Sequence, residues 1–240
     1  MKHAPSILGA LVACAALAAP AAARAQTVAV EDAPAAPARS PSPGPDVHLT
    51  AGARGLLISS TGFDPYAGND LLVQLGVGAG LTVLHAGSVS VLVFAAWDVG
   101  TRTASARGEE ASLTLHRLGG GIETRWQPAR RLFLSAKLAP AALHLRGTIA
   151  DPSIDRPLVS RTWTWGLDAS LGLGLLVAGA GARGTGFWLT GDLGYAFAGR
   201  SPMTFAPSPD GTDPRKFGAV MLPPLRPSGP LSRLGVALSF

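Results

Sequence analysis

The chain is sparing with charge, and the charges it does carry fall at regular places. Asp, Glu, Lys and Arg make up 15% of the 240 residues, against 47% hydrophobic residues. Arg54, Asp98, Arg117, Glu123, Arg125, Lys137, Asp168, Asp192 and Arg233 each occupy a polar position within a segment that alternates polar and apolar residues. That is five cations and four anions pointed to one side of their segments. Such a set can act as a salt-bridged, hydrogen-bonded filling or as the wall of a narrow ion pathway. Unpaired, each ion would cost several kcal/mol once buried.

Other chemistry is sparse. His48, His85, His116 and His144 form neither an H-x-x-H nor an H-E-x-x-H pair, so no metal site is expected. They read as interface or surface residues. His144-Leu145-Arg146 lacks a His-x-Ser arrangement, and no G-x-S-x-G occurs, so no catalytic residues are assigned and the chain is read as a non-enzyme. Gly76-x-Gly78-x-Gly80 and Gly172-x-Gly174 neither open a helix nor precede Lys-Ser/Thr. No phosphate loop and no cofactor are expected. These glycines leave room for large charged neighbours.

The elements that must position these charges are strands. In Trp163–Val177, Trp163, Trp165, Leu167, Ala169, Leu171, Leu173, Leu175 and Val177 alternate with small or polar residues. The period of two makes one face apolar. A strand of a soluble domain runs about five or six residues. A bilayer-crossing strand needs roughly 9–11, with aromatic residues at the water boundary.

The same pattern predicts seven further strands, at 47–59, 71–84, 88–100, 111–126, 132–145, 187–198 and 230–240. In the fourth, Leu118, Ile122 and Trp126 are placed outward and Arg117, Glu123 and Arg125 inward. The Gly119-Gly120-Gly121 run is expected to host a bulge. Pro140 is expected to mark a bulge or an early exit of the fifth strand. Connections 60–70, 101–110, 146–161 and 199–229 are expected to be long loops, the last with seven prolines. Those after the second, fourth and sixth strands are short or Gly-rich.

Targeting signals frame these strands. Lys2, an apolar Ala-rich run from Ile7 to Ala23 and Ala23-Arg24-Ala25 predict a secretory signal peptide, residues 1–25, cleaved after Ala25. Leu11-Val12-Ala13-Cys14 resembles a lipobox, which leaves open acylation of Cys14 instead. Cleavage after Ala25 would remove Cys14, Lys2 and Arg24, so the net charge falls from +5 to +3 and no thiol chemistry remains. Residues 26–46 are rich in Pro and Ala and read as an extended periplasmic tail. Despite a pI near 10.1, there is no basic run or basic–aromatic interleaving, and export excludes a nucleic-acid partner.

A sheet in lipid cannot leave edges unpaired, so these strands are expected to close into an eight-stranded antiparallel up-and-down transmembrane β-barrel over residues 47–240. Trp97, Trp163, Trp165, Tyr195 and Phe197 would form the outer aromatic girdle, and Trp126, Phe187 and Phe240 the periplasmic one.

The layout resembles the small OmpA/OmpX-type outer-membrane barrels. Leu234-Gly235-Val236-Ala237-Leu238-Ser239-Phe240 is similar to the terminal assembly signal of that superfamily, an alternating strand ending in Phe. The resemblance implies a bacterial outer-membrane location, folding by the outer-membrane assembly machinery and recognition through Phe240. The function it supports is a non-enzymatic envelope-structural or surface-interaction barrel with a charge-plugged lumen. A narrow channel or small-ligand transporter is the alternative, with a lipid-modifying barrel enzyme behind both. Expected partners are outer-membrane lipid and, through basic residues above the outer girdle, lipopolysaccharide. The protein is expected to be a monomer.

Overall fold

A computed structural model describes residues 46–106, 108–150, 157–179, 185–207 and 219–240. The signal-peptide, lipobox and tail expectations concern residues outside these, except for Asp46. That residue belongs to the folded body: its carbonyl accepts from the Thr82 amide at 2.9 Å, and its carboxylate lies 3.2 Å from His85.

The elements are β1 (Val47–Leu57), a 3-10 turn (Asp64–Tyr66), β2 (Leu71–Ala86), β3 (Val89–Ala106), β4 (Glu109–Ala129), β5 (Leu132–Ala150), β6 (Leu158–Gly179), β7 (Gly186–Ala198), β8 (Ser201–Pro207), β9 (Val220–Leu225) and β10 (Gly229–Ser239). Antiparallel pairing runs from β1 in order through β7, then to β10, and β10 pairs back to β1. Eight strands thus form a ring. At the seam, the Val47 and Phe240 amides each donate to the other's carbonyl, at 2.9 and 3.1 Å.

Alternation alone does not say whether the apolar face points in or out. Here it points out. Leu171, Leu193 and Leu234 are each about 70% exposed, as are the neighbouring leucines and valines of every ring strand to a lesser degree. An unbroken apolar belt of this kind needs an apolar surrounding. The charged residues fill the inside, as an eight-stranded interior is just wide enough to allow.

Several expectations need correction. The segment at 101–110 is not a long loop, because the β3–β4 ladder continues to Ala106 opposite Glu109. Most of 146–161 is likewise strand, with β5 reaching Ala150 and β6 starting at Leu158. Thr, Ser and Arg at these positions pair as well in water as apolar residues do in lipid, since the ladder is satisfied by backbone groups. Gly119–Gly121 holds no bulge; the β4–β5 register shifts between Trp126 and Ala129 instead. Pro140 neither bulges nor ends β5. It stays opposite Leu167 of β6, and its missing N–H is felt only toward β4, where pairing lapses at Gly120 and Gly121. The longest connection contains a pair of antiparallel strands, β8 and β9, and β8 also pairs with the start of β6.

Candidate functional site

The residues that could do chemistry meet inside the ring, in tiers along its axis. Call the end with the tight connections at 87–88 and 130–131 the turn end, and the opposite one the loop end.

The tier nearer the loop end joins six strands. Arg54 of β1 donates to the Gln74 amide oxygen on β2 and reaches Asp168 of β6 at 3.1 Å. Arg117 of β4 bridges two carboxylates, Asp98 of β3 and Asp168, both at 3.0 Å. Arg233 of β10 donates to the other oxygen of Asp98. Arg54, Asp98 and Arg117 are at most 3% exposed. Three guanidiniums thus share two carboxylates, so this tier keeps one net positive charge.

The second tier lies closer to the turn end and is balanced. Lys137 of β5 lies 2.9 Å from Asp192 of β7 and 3.8 Å from Glu123 of β4. Arg125 holds Glu123 with two hydrogen bonds, at 2.7 and 3.2 Å, and lies 3.2 Å from His48 Nδ1. The far nitrogen of His48 is 3.1 Å from the Thr82 hydroxyl. The Arg125 guanidinium also covers the Phe133 ring at 4.6 Å, a cation–π contact. Charge-assisted, forked pairs of this kind are the strong class of hydrogen bond.

Backbone placement makes room for these side chains. A methyl group on Gly76 would collide with the Asp98 carboxylate, and one on Gly172 with that of Asp192. Glycine is therefore required opposite the charge in each case. The free space among the tiers amounts to voids of about 60 and 40 Å³, enough for a few waters. Below the second tier the turn end opens into a vestibule of about 270 Å³, walled by His48, Phe133, Trp188 and Ser239.

Above the first tier sits an element that sequence reasoning missed. The loop end is filled by an apolar cap. Phe63 and Tyr66 come from the β1–β2 connection, and Met203, Phe205 and Leu225 from β8 and β9. They pack on wall residues such as Leu56, Leu115 and Leu145, and none of these eight is more than 1% exposed. Burial pushes the Tyr66 phenol up from its ordinary range, so it stays neutral. Gly147 leaves the space that Met203 and Phe205 occupy. A signal was present: Ser201, Met203 and Phe205 alternate with Pro202, Thr204 and Ala206 in a segment read as loop because of its prolines.

The remaining site residues lie outside the ring. Trp97, Trp163, Trp165, Tyr195 and Phe197 are exposed on the outer surface toward the loop end, and Trp126, Phe187 and Phe240 toward the turn end. His116 and His144 are not near strand ends. They face outward between Trp97 and Trp163, forming a row of four rings across β3 to β6 with centroid spacings of 6.2, 5.9 and 4.7 Å. Of the basic loop residues, Arg226 is tied to the Ala198 carbonyl at 3.1 Å. Asp151, Asp155, Arg156, Asp210, Asp213, Arg215 and Lys216 lie outside the described residues.

No protein family and no curated protein matches the sequence. Solved structures match its fold. A major outer membrane protein from Thermus thermophilus aligns over 81% of this chain and 99% of its own, at 14% identity and a TM-score of 0.51. The fold is that of an outer-membrane β-barrel. Neisserial surface protein A aligns to 80% of this chain and 95% of its own, at 11% identity and a TM-score of 0.46. For the outer membrane protease OmpT of Escherichia coli the shares are 82% and 96%, with 6% identity and a TM-score of 0.43.

Proposed function

We propose that this chain is a non-enzymatic protein of the bacterial outer membrane, with an envelope-structural or surface-interaction role and a lumen closed to ions. The observation that carries this reading is the pair of ion-pair tiers that spans the interior from β1 to β6 and from β4 to β7. Each buried carboxylate is matched to a cation, and an apolar cap lies over them. An open pore would instead leave its charges to water. The apolar outer belt and its aromatic rings support a place in lipid, with the turn end toward the periplasm and the assembly machinery recognising Phe240.

The test has two parts. Fractionated cells should yield a heat-modifiable band in the outer membrane, and the purified barrel should give no steady conductance in planar bilayers. Recovery in the soluble periplasm or the inner membrane would overturn the location. Large steady conductance would overturn the closed lumen. It would favour a narrow channel or small-ligand carrier, the reading to which the vestibule at the turn end lends some support.

A further inference from the structure

The outer surface carries a strip that neither the lumen nor the aromatic girdle explains. Arg146 of β5 and Arg161 of β6 are direct cross-strand partners. Both are exposed, and both face outward, since they alternate with the inward Leu145 and Ser160. Side chains at such a pair start about 5 Å apart, and like charges placed directly opposite are destabilising. Neither arginine has a hydrogen-bond or ion-pair partner among the described residues. Across the ladder on β4 stands Thr114, not a carboxylate. The nearest outward acid on that strand is Glu110, four residues further from the belt, or about 13 Å. A pair of guanidiniums with no counter-charge among the described residues is a ready receptor for a phosphate.

What lies below the pair fixes the kind of phosphate. One step toward the belt is the ring row of His116, His144 and Trp163. One step further, the outer wall is hollowed. Ala142 and Pro140 of β5 form the floor of an open groove, with Leu118 of β4 on one bank and Trp165 and Leu167 of β6 on the other. The floor is low because the β5 positions are small while both banks are large. The groove is almost wholly apolar and runs along the strand direction beneath the arginines. A free phosphate would have no use for it, whereas an acyl chain would fill it.

We infer that this strip binds one phosphate-bearing acyl lipid, with its headgroup on Arg146 and Arg161 and a chain in the groove between Leu118 and Trp165. The inference rests on the reading that the outer belt lies in lipid. It adds a specific site to a surface otherwise solvated by lipid at large. The bound phosphate also relieves the repulsion between the two arginines, so the site and its ligand stabilise each other.

The experiment uses the full barrel, purified in detergent and checked for folding by its heat-modifiable band, with bound lipid counted by native mass spectrometry. The probes are phosphatidylglycerol, phosphatidylcholine with the same chains, and inorganic phosphate. One phosphatidylglycerol should be retained at concentrations where phosphatidylcholine is not, and inorganic phosphate should not displace it. The double variant Arg146→Gln, Arg161→Gln should weaken retention by about tenfold or more, as expected for the loss of charged hydrogen bonds. Ala142→Phe, which fills the groove floor and leaves the arginines in place, should also weaken it. Equal retention of both lipids, or unchanged retention by the double variant, would overturn the site. Displacement by inorganic phosphate would reject the acyl groove. Because folding and fractionation are scored separately, these failures would leave the membrane location standing.

Discussion

Arg54 and Asp168, 114 positions apart in the chain, meet at 3.1 Å across the barrel from walls that share no backbone pairing. Within the ring, backbone ladders hold each strand only to the two beside it. This contact ties β1 directly to β6, and Asp168 extends the tie to β4 through Arg117. The interior is therefore a cross-brace as well as a closure.

Replacing Asp168 by Leu takes from Arg54 its carboxylate partner and leaves Arg117 with Asp98 alone. Breaking a buried pair costs about 3–5 kcal/mol. The Asp168 side chain is 14% exposed, which places the expected loss nearer the lower figure. Urea unfolding of the detergent-folded barrel measures it. A variant as stable as the parent would mean that water solvates the orphaned Arg54 guanidinium and that the lumen is open.

Phe205→Ala removes a fully buried ring from the cap. The expected cost is about 3–5 kcal/mol, the usual range for such truncations. Bilayer conductance should still be absent, because both ion-pair tiers remain beneath. If this single change produces steady current, the cap alone is the closure.

Salt separates a buried network from a solvated one. Going from about 0.1 to about 1 M salt shortens the screening length from roughly 10 to 3 Å. Closely held pairs whose side chains are between 1 and 26% exposed should respond little, so the unfolding midpoint should hold. A pronounced downward shift would show that ions reach the tiers.

Deleting Phe240 should lower outer-membrane yield far more than trimming residues 26–45. The deletion takes away two backbone bonds to Val47 together with an aromatic side chain on the belt. The trim spares Asp46 and its contacts with Thr82 and His85. Quantitative immunoblots of membrane fractions decide between them, and equal yields would refute the expectation.

The strands were legible because lipid on one side and charge on the other write a period of two into the chain. That is why Arg117, Glu123 and Arg125 could be placed inward despite the glycines beside them. What period two does not encode is where a ladder stops. Thr101 to Ala106 and Arg146 to Ala150 continue as strand in water, where no apolar face is required. The partners of each charge were also hidden, since Arg54 to Asp168 depends on the closed ring. Gln74 and His48 carry no charge signal and were passed over as site members. The cap was concealed by prolines: Pro202 falls at the register shift between Ser201 and Met203 and Pro207 is the last residue of β8, places where a missing N–H costs little.

The seam between Val47 and Phe240 has a consequence for how the molecule is made. Every other ring pairing except β7 with β10 joins strands adjacent in sequence, but β1 must wait for β10, at the far end of the chain. Until then both edges of the growing sheet present unpaired amides and carbonyls, an invitation to sticking and mispairing. The last registration is the most non-local contact of all, and such contacts slow folding. A chaperoned route, in which the open edges are held until they can meet, follows from that one pair of hydrogen bonds.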